Sequence, residues 1–249
     1  TTDGSAPTAR SKKSTPPITI TRTTVIRAAT KAEDKMISRP LSLHYFLNEG
    51  HTLPIVSVVT DEDNIEGQDG ILATSNLFDR TVERPASVAF FSDEGNFSAD
   101  CGFKLHGAGS RGRLRKKSFK VVFRQRYGMA QLDFPLFTDG DTTEFDSFLI
   151  RNSQDFSRTM IRDELLSKIA LAGTTELLVQ NTRFCIFYLN GEYQGVYCIK
   201  EAYSSGYFAR KFGVSADSVE LQRGYLTEDC EMQALIDYAQ GHDLRQNEY

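Results

Sequence analysis

TRFCIFYLNGEYQGVYCI, residues 182–199, constrains the fold of this chain more than any other stretch. Two aromatic and β-branched runs flank Asn190-Gly191, the dipeptide that best tolerates the positive φ angles of a type I′ turn. The segment predicts an antiparallel hairpin. With a plain two-residue turn, Cys185 falls opposite Val196 and Cys198 lies diagonal to it. Diagonal neighbours sit about 7–8 Å apart, too far for easy disulfide bonding. Cys101, Cys185, Cys198 and Cys230 also show no CxxC spacing and have no nearby His. They are expected to be free buried thiols rather than a zinc site.

Other stretches alternate apolar and polar residues with the same period of two: ITITRTTVIRA (18–28), PIVSVVT (54–60), ASVAFF (86–91), CGFKLH (101–106), SFKVVFR (118–124) and DSFLIR (146–151). In SFKVVFR, Phe119, Val121 and Phe123 fall on one face and Ser118, Lys120 and Val122 on the other. The acidic stretch DEDNIEGQDG lacks the ligand spacing and final Glu of an EF-hand and is expected to be a solvated loop. Helical spacing begins at about Ser157, where Ile161, Leu165 and Ile169 recur at i+4 until Gly173. AYSSGYFARKFG (202–213) predicts a short helix ending at Gly213. Strands, one helix, a hairpin and then helices make an α+β fold, an antiparallel sheet with flanking helices.

Charge distribution narrows the function. The chain carries a net charge of -4, yet the window from Cys101 to Leu132 contains no Asp or Glu. That window holds Lys104, Arg111, Arg113, Arg115, Lys116, Lys117, Lys120, Arg124 and Arg126. One short basic segment in an otherwise acidic protein fits a local anion site better than a nucleic-acid binder, whose positive field is broader. Base stacking on Phe119, Phe123 and Tyr127 is not expected, because the alternation turns Phe119 and Phe123 towards a core. No apolar run approaches the roughly 20 residues of a membrane span. Gly107, Gly109 and Gly112 spell G-x-G-x-x-G, but a strand rather than a helix follows, so the dinucleotide-binding reading fails on context. A strand, a glycine loop and a strand bearing Lys is instead how protein kinases cover ATP phosphates. The competing reading is a solvated, Lys-rich edge strand.

The run HGAGSRGRLRKKSFKVVF resembles the opening of the spore-coat protein H (CotH) kinase family, which typically reads R-G-x-S-R-x-x-x-K-K-S-[FY]-[KR]. FDSFLIRNSQDFSRTMIRDELL and TRFCIFYLNGEYQGVYCIKE resemble later blocks of that family, in the same order. PIVSVVTDEDNI…RPASVAFF is similar to an extension of its multidomain members. Further upstream, PPITITRTTVIRAATKAEDKMISRPLSLHYFL resembles the end of a chitobiase/hexosaminidase C-terminal β-sandwich module.

These resemblances imply a layout: residues 1–17 as linker or disordered, 18–48 as a partial β-sandwich segment and 49–249 as a CotH kinase-like domain. They imply an atypical protein-kinase-like N-lobe and an ATP-dependent transfer to Ser or Thr of another protein, with Mg or another divalent metal. Lys117 is then the phosphate lysine, with Ser110, Arg111, Gly107 and Gly109 in the loop beside the phosphates. Arg162 and Glu201 occupy motif positions of unassigned role. Arg162 calls for a specific partner, with Asp155 a candidate, and Glu201 reads equally well as a helix-start carboxylate. Where the family's helix usually has Glu, this chain has Lys168, so Glu164 is the substitute expected to pair the lysine. Thr1 in place of Met and the abrupt close at Tyr249 read as a segment of a longer chain. The family's acidic metal and catalytic motifs are expected farther along, so this segment alone is expected to be inactive. The alternative is a non-catalytic binding module with a kinase-like fold. Extracellular or cell-surface placement follows by analogy only.

Overall fold

Residues 182–201 form the hairpin expected of them, and Asn190 (φ 52°) and Gly191 (φ 81°) both take positive φ, as a type I′ turn requires. Asn190 does more than turn the chain: its Oδ1 accepts the Thr60 N–H at 2.9 Å. The register differs from that of a plain hairpin. Tyr188 faces Tyr193 but Phe187 faces Gly195, so Gln194 is an extra residue on the second strand. Gly195, at φ 95°, supplies the backbone that this bulge needs. Cys185 consequently faces Tyr197, not Val196. A one-residue slip exchanges the faces of a strand. The bulge thus sends Tyr197 and Ile199 into the core and turns Cys198 and Lys200 to the other face.

The computed structural model of the chain describes all residues except 34, 37, 75, 139, 141, 153–158, 160, 174–176, 222–230 and 243–249. Its longer strands are β1 (Thr24–Ala28), β2 (Leu41–Tyr45), β3 (Ile55–Val59), β4 (Arg84–Ser92), β5 (Gly95–His106), β6 (Ser118–Val122), β7 (Ser147–Arg151), β8 (Thr182–Leu189) and β9 (Glu192–Glu201). The helices are α1 (Glu62–Ile65), α2 (Gly109–Arg113), α3 (Arg162–Ala172), α4 (Ser205–Phe212) and α5 (Glu231–Gly241). The fold is α+β, and its main sheet of seven strands is mostly antiparallel, as expected. The sheet closes on itself in the order β7–β9–β8–β3–β4–β5–β6, with β6 returning to β7. Among the described residues only β3 and β8 run parallel.

A closed sheet of this size leaves room inside only for side chains. Phe90, Phe103, Phe119, Phe148, Phe187 and Ile199 fill it, each 4% exposed or less. Phe119 stacks on Phe103 at 4.7 Å between centroids and meets Phe187 at 5.7 Å. The outward positions fall in register across four strands: Lys104 faces Lys120, Lys120 faces Leu149, and Leu149 faces Lys200. Lys120 thus stands on the face opposite Phe119 and Val121, as the alternation predicts.

The early strand reading, 18–28, is realised only at Thr24–Ala28, where β1 pairs antiparallel with β2. The first residues pack rather than dangle. The Thr1 ammonium donates to the Arg27 carbonyl at 2.8 Å, and Arg27 donates from Nη1 to Gly4 O and approaches Asp61. His44 on β2 meets Ser57 on β3, and Phe46 packs on Phe91 and Tyr188. DEDNIEGQDG is not simply a solvated loop. It contains α1, which buries Ile65, while the Asn64 amide donates to Thr60 Oγ1 at 2.8 Å.

The helix expected from about Ser157 is described from Arg162; Ser157 itself lies outside the described residues. Its apolar stripe is not a buried one: Ile161, Leu165 and Ile169 are more than half exposed, whereas Glu164 is buried. Residues Tyr203–Tyr249 form a second unit. Within it, α4 begins at the N-cap Ser204, whose Oγ accepts the Tyr207 N–H, and ends at Gly213 in the left-handed region. Among the described residues no helix is long and apolar enough to cross a membrane.

Candidate functional site

The basic glycine segment joins β5 to β6. Gly107 turns the chain at φ 105°, where a Cβ would stand 2.4 Å from Ser110 Oγ. α2 follows for one turn, and Leu114 returns the backbone to extended geometry. Beneath this turn lies Arg111, only 4% exposed. Its Nε donates to Gly107 O at 2.9 Å, Nη2 to Leu105 O at 2.8 Å, and Nη1 to Asp79 O at 3.0 Å and Leu77 O at 3.4 Å. The planar fork that could have gripped a phosphate instead ties the loop to its own root and to the segment before β4. Burial pulls the Arg111 pKa down from its usual value.

Most of the other cations also have structural partners. Lys117 donates to Arg111 O and closes the turn from above. Lys116 donates to Val196 O, with its ammonium 4.1 Å from the centroid of the Tyr197 ring. Lys104 reaches Arg80 O. Arg124 and Arg126 converge with the Tyr127 hydroxyl on the Glu83 carboxylate. Burial pushes that carboxyl up, but the hydrogen bonds from Arg124 and Arg126 outweigh it and leave Glu83 below the usual carboxylate range. Arg113 and Arg115 stand exposed at the rim of the loop. Arg115, Lys116 and Lys117 line a cleft of about 430 Å³ floored by Phe119, Tyr197 and Leu72.

Gly107, Gly109, Ser110, Arg111 and Lys117 therefore form one constellation. Glu201 and Arg162 lie on other elements, β9 and α3. Glu201 is the last residue of β9 rather than a helix start, and its carboxylate accepts Asn181 N–H at 2.9 Å and Asn181 Nδ2 at 3.2 Å. Arg162 is the exposed first residue of α3, and Asp155 lies outside the described residues. Beside them is an arrangement that the sequence reading missed. Lys200, 2% exposed, donates from Nζ to Asp163 Oδ2 and lies 3.3 Å from Glu164 Oε1. Glu164 does pair a strand lysine, but that lysine is Lys200. The available signal was the lone Lys in VYCIKE, which alternation from Tyr197 and Ile199 places on the outer face.

The CotH kinase protein family model matches residues 103–248, more than half of the chain. The chain belongs to the CotH kinase family. A model of the chitobiase/beta-hexosaminidase C-terminal domain matches residues 1–41. No curated protein matches the chain. The CotH match opens at Phe103, inside β5, yet β3 and β4 upstream of it complete the barrel that carries the loop.

The loop of this CotH chain should tolerate no side chain at its first residue. Gly107→Ala places a Cβ against Ser110 Oγ at a φ that L-residues rarely adopt. A loss of about 1–3 kcal/mol is expected from urea unfolding. An unchanged midpoint would show that the turn can relax without cost.

Proposed function

We propose that this chain holds the phosphates of ATP for a protein kinase that modifies Ser or Thr of another protein, with residues 107–117 as the phosphate-facing loop. The observation that carries this reading is the clamp of Arg111 and Lys117, which fixes a glycine turn in advance of any ligand. A preformed loop avoids the ordering cost that weakens flexible anion sites. A Cβ on Gly109 would have nothing within 4 Å, so its backbone can be approached closely. Ser110 adds a hydroxyl. Lys117 has three donors, and the bond to Arg111 O engages one of them. Arg111 acts here by shaping the loop rather than by touching phosphate.

Among the described residues no group of three or more His, Cys, Asp or Glu is placed to hold a metal ion. Gly109, Ser110 and Lys117 bind and orient the phosphates in this reading. Transfer itself breaks the bond from the γ-phosphorus to the ADP oxygen and forms one to the acceptor hydroxyl oxygen, whose proton must leave. Fluorescence polarisation with a labelled ATP analogue and Mg tests the reading. Saturable binding is expected, weakened about tenfold by Gly109→Val, which blocks approach to the backbone. Absence of saturable binding by the wild-type chain at millimolar nucleotide would end it.

A further inference from the structure

We propose that the seam between the β1–β2 ribbon and the barrel binds a small inorganic anion the size of chloride, held by Arg27, Ser42 and His44. The ribbon has two unlike faces. In its register Val25 lies opposite His44 and Arg27 opposite Ser42, so these four side chains share one face. That face meets the barrel: Val25 is 2% and Ser42 6% exposed, and His44 Nδ1 is 2.8 Å from Ser57 Oγ on β3. Leu41, Leu43 and Tyr45 lie on the other face and are exposed.

Three polar atoms on the inner face are buried without a hydrogen-bond partner among the described residues. They are Arg27 Nε, Ser42 Oγ and His44 Nε2. Buried polar atoms are nearly always satisfied, so three from directly opposed and alternate positions of one ribbon call for a shared partner. Opposed side chains start about 4.5–5.5 Å apart, and Ser42 and His44 are separated by one strand repeat of about 7 Å. One ion between them is within reach of all three.

Their chemistry selects an anion. Arg27 Nε can only donate, and the Ser42 hydroxyl has a proton to give. With the Ser57 hydroxyl donating to Nδ1 of a neutral His44 ring, the ring proton sits on Nε2. A water molecule accepts only two of these three hydrogen bonds and brings two protons that need acceptors of their own. A halide accepts all three and brings none.

Charge in the seam permits it. Arg27 approaches Asp61 only to 3.4 Å, and that aspartate side chain is 40% exposed, so solvent shares it. The guanidinium thus keeps charge to offset a buried anion. Asp100, which faces the buried Ser87 on the same side of the barrel, is the opposing group. Burial raises its pKa, and the charges of Arg39 and Arg27 offset that only in part. Its strand β5 is two strand spacings from β3, which carries Ser57, or about 10 Å. The anion therefore fastens the ribbon to the barrel from the Ser57 side, using elements separate from the glycine loop.

Thermal unfolding followed by circular dichroism, in sodium chloride and in sodium gluconate at equal ionic strength, tests the site. Gluconate screens charge equally but is too large for a buried seat with three donors. The wild-type midpoint is expected to be about 3–5 °C higher in 0.5 M chloride than in gluconate. Ser42→Ala, which removes one buried oxygen, should lose at least half of that difference, and His44→Leu all of it. Chloride-35 NMR of the folded protein reads the ion directly, with line broadening by the wild type that falls at least threefold in Ser42→Ala. Equal wild-type midpoints in the two salts overturn the assignment and leave the three donors to water. An undiminished chloride effect in both variants also overturns it, and places the ion elsewhere, for example at the exposed Arg113 and Arg115.

Discussion

Arg111→Ala is expected to lower the stability of this protein by about 4 kcal/mol, more than loss of any other cation in the basic segment. Its guanidinium satisfies four backbone carbonyls from three places: the end of β5, the loop and the segment holding Leu77 and Asp79. Hydrogen bonds to a charged group contribute about 1.5–3 kcal/mol each. Deletion strands several acceptors at once, and water entering from the loop side recovers only part of that. Arg111→Lys should recover little, because a single ammonium cannot span carbonyls that the fork reaches in different directions. Urea unfolding of the three proteins provides the measurement. A loss below about 1 kcal/mol for Arg111→Ala would show that the clamp is incidental.

The seam between β2 and the barrel is expected to weaken in acid. His44 is largely buried, and burial alone lowers its pKa from 6.5 to about 4. Its Nδ1 is 2.8 Å from Ser57 Oγ, its ring meets the edge of Phe91, and its Nε2 has no hydrogen bond. Folding therefore favours the neutral ring. The contribution is complete above about pH 6.5 and drains away as the pH falls towards about 4, a total of about 3 kcal/mol. Chemical denaturation between pH 7 and pH 4 should show that slope, and His44→Leu should flatten it. Equal slopes for the wild type and His44→Leu would mean that other groups set the acid response.

The hairpin was legible because both of its determinants, the Asn-Gly turn and the β-branched flanks, are local. The bulge was less so, although an isolated Gly195 in a strand is its usual mark. Its effect is large, since it decides that Tyr197 rather than Val196 enters the core. Closure of the sheet had no local sign at all, because β3 finds β8 across more than a hundred residues. The same limit applied to charge. The family resemblance set Arg111 beside the phosphates, but two of the carbonyls that occupy it lie 32 and 34 residues earlier in the chain. On α3 the period of the apolar residues was right, but the buried face carries Glu164. The reason is the buried ammonium of Lys200, which the sequence reading had not placed beneath the helix.

The parallel seam bears on how the protein is made. β3 can pair with β4 as soon as both are synthesised, but its other edge waits for β8, which begins at Thr182. Throughout that interval a nascent chain carries an open, apolar strand edge of the kind that recruits strands from other molecules. Non-local pairings of this sort are also slow to form. The ribosome therefore delivers the aggregation hazard early and its remedy late, and a chain stopped short of Leu189 would display that edge permanently.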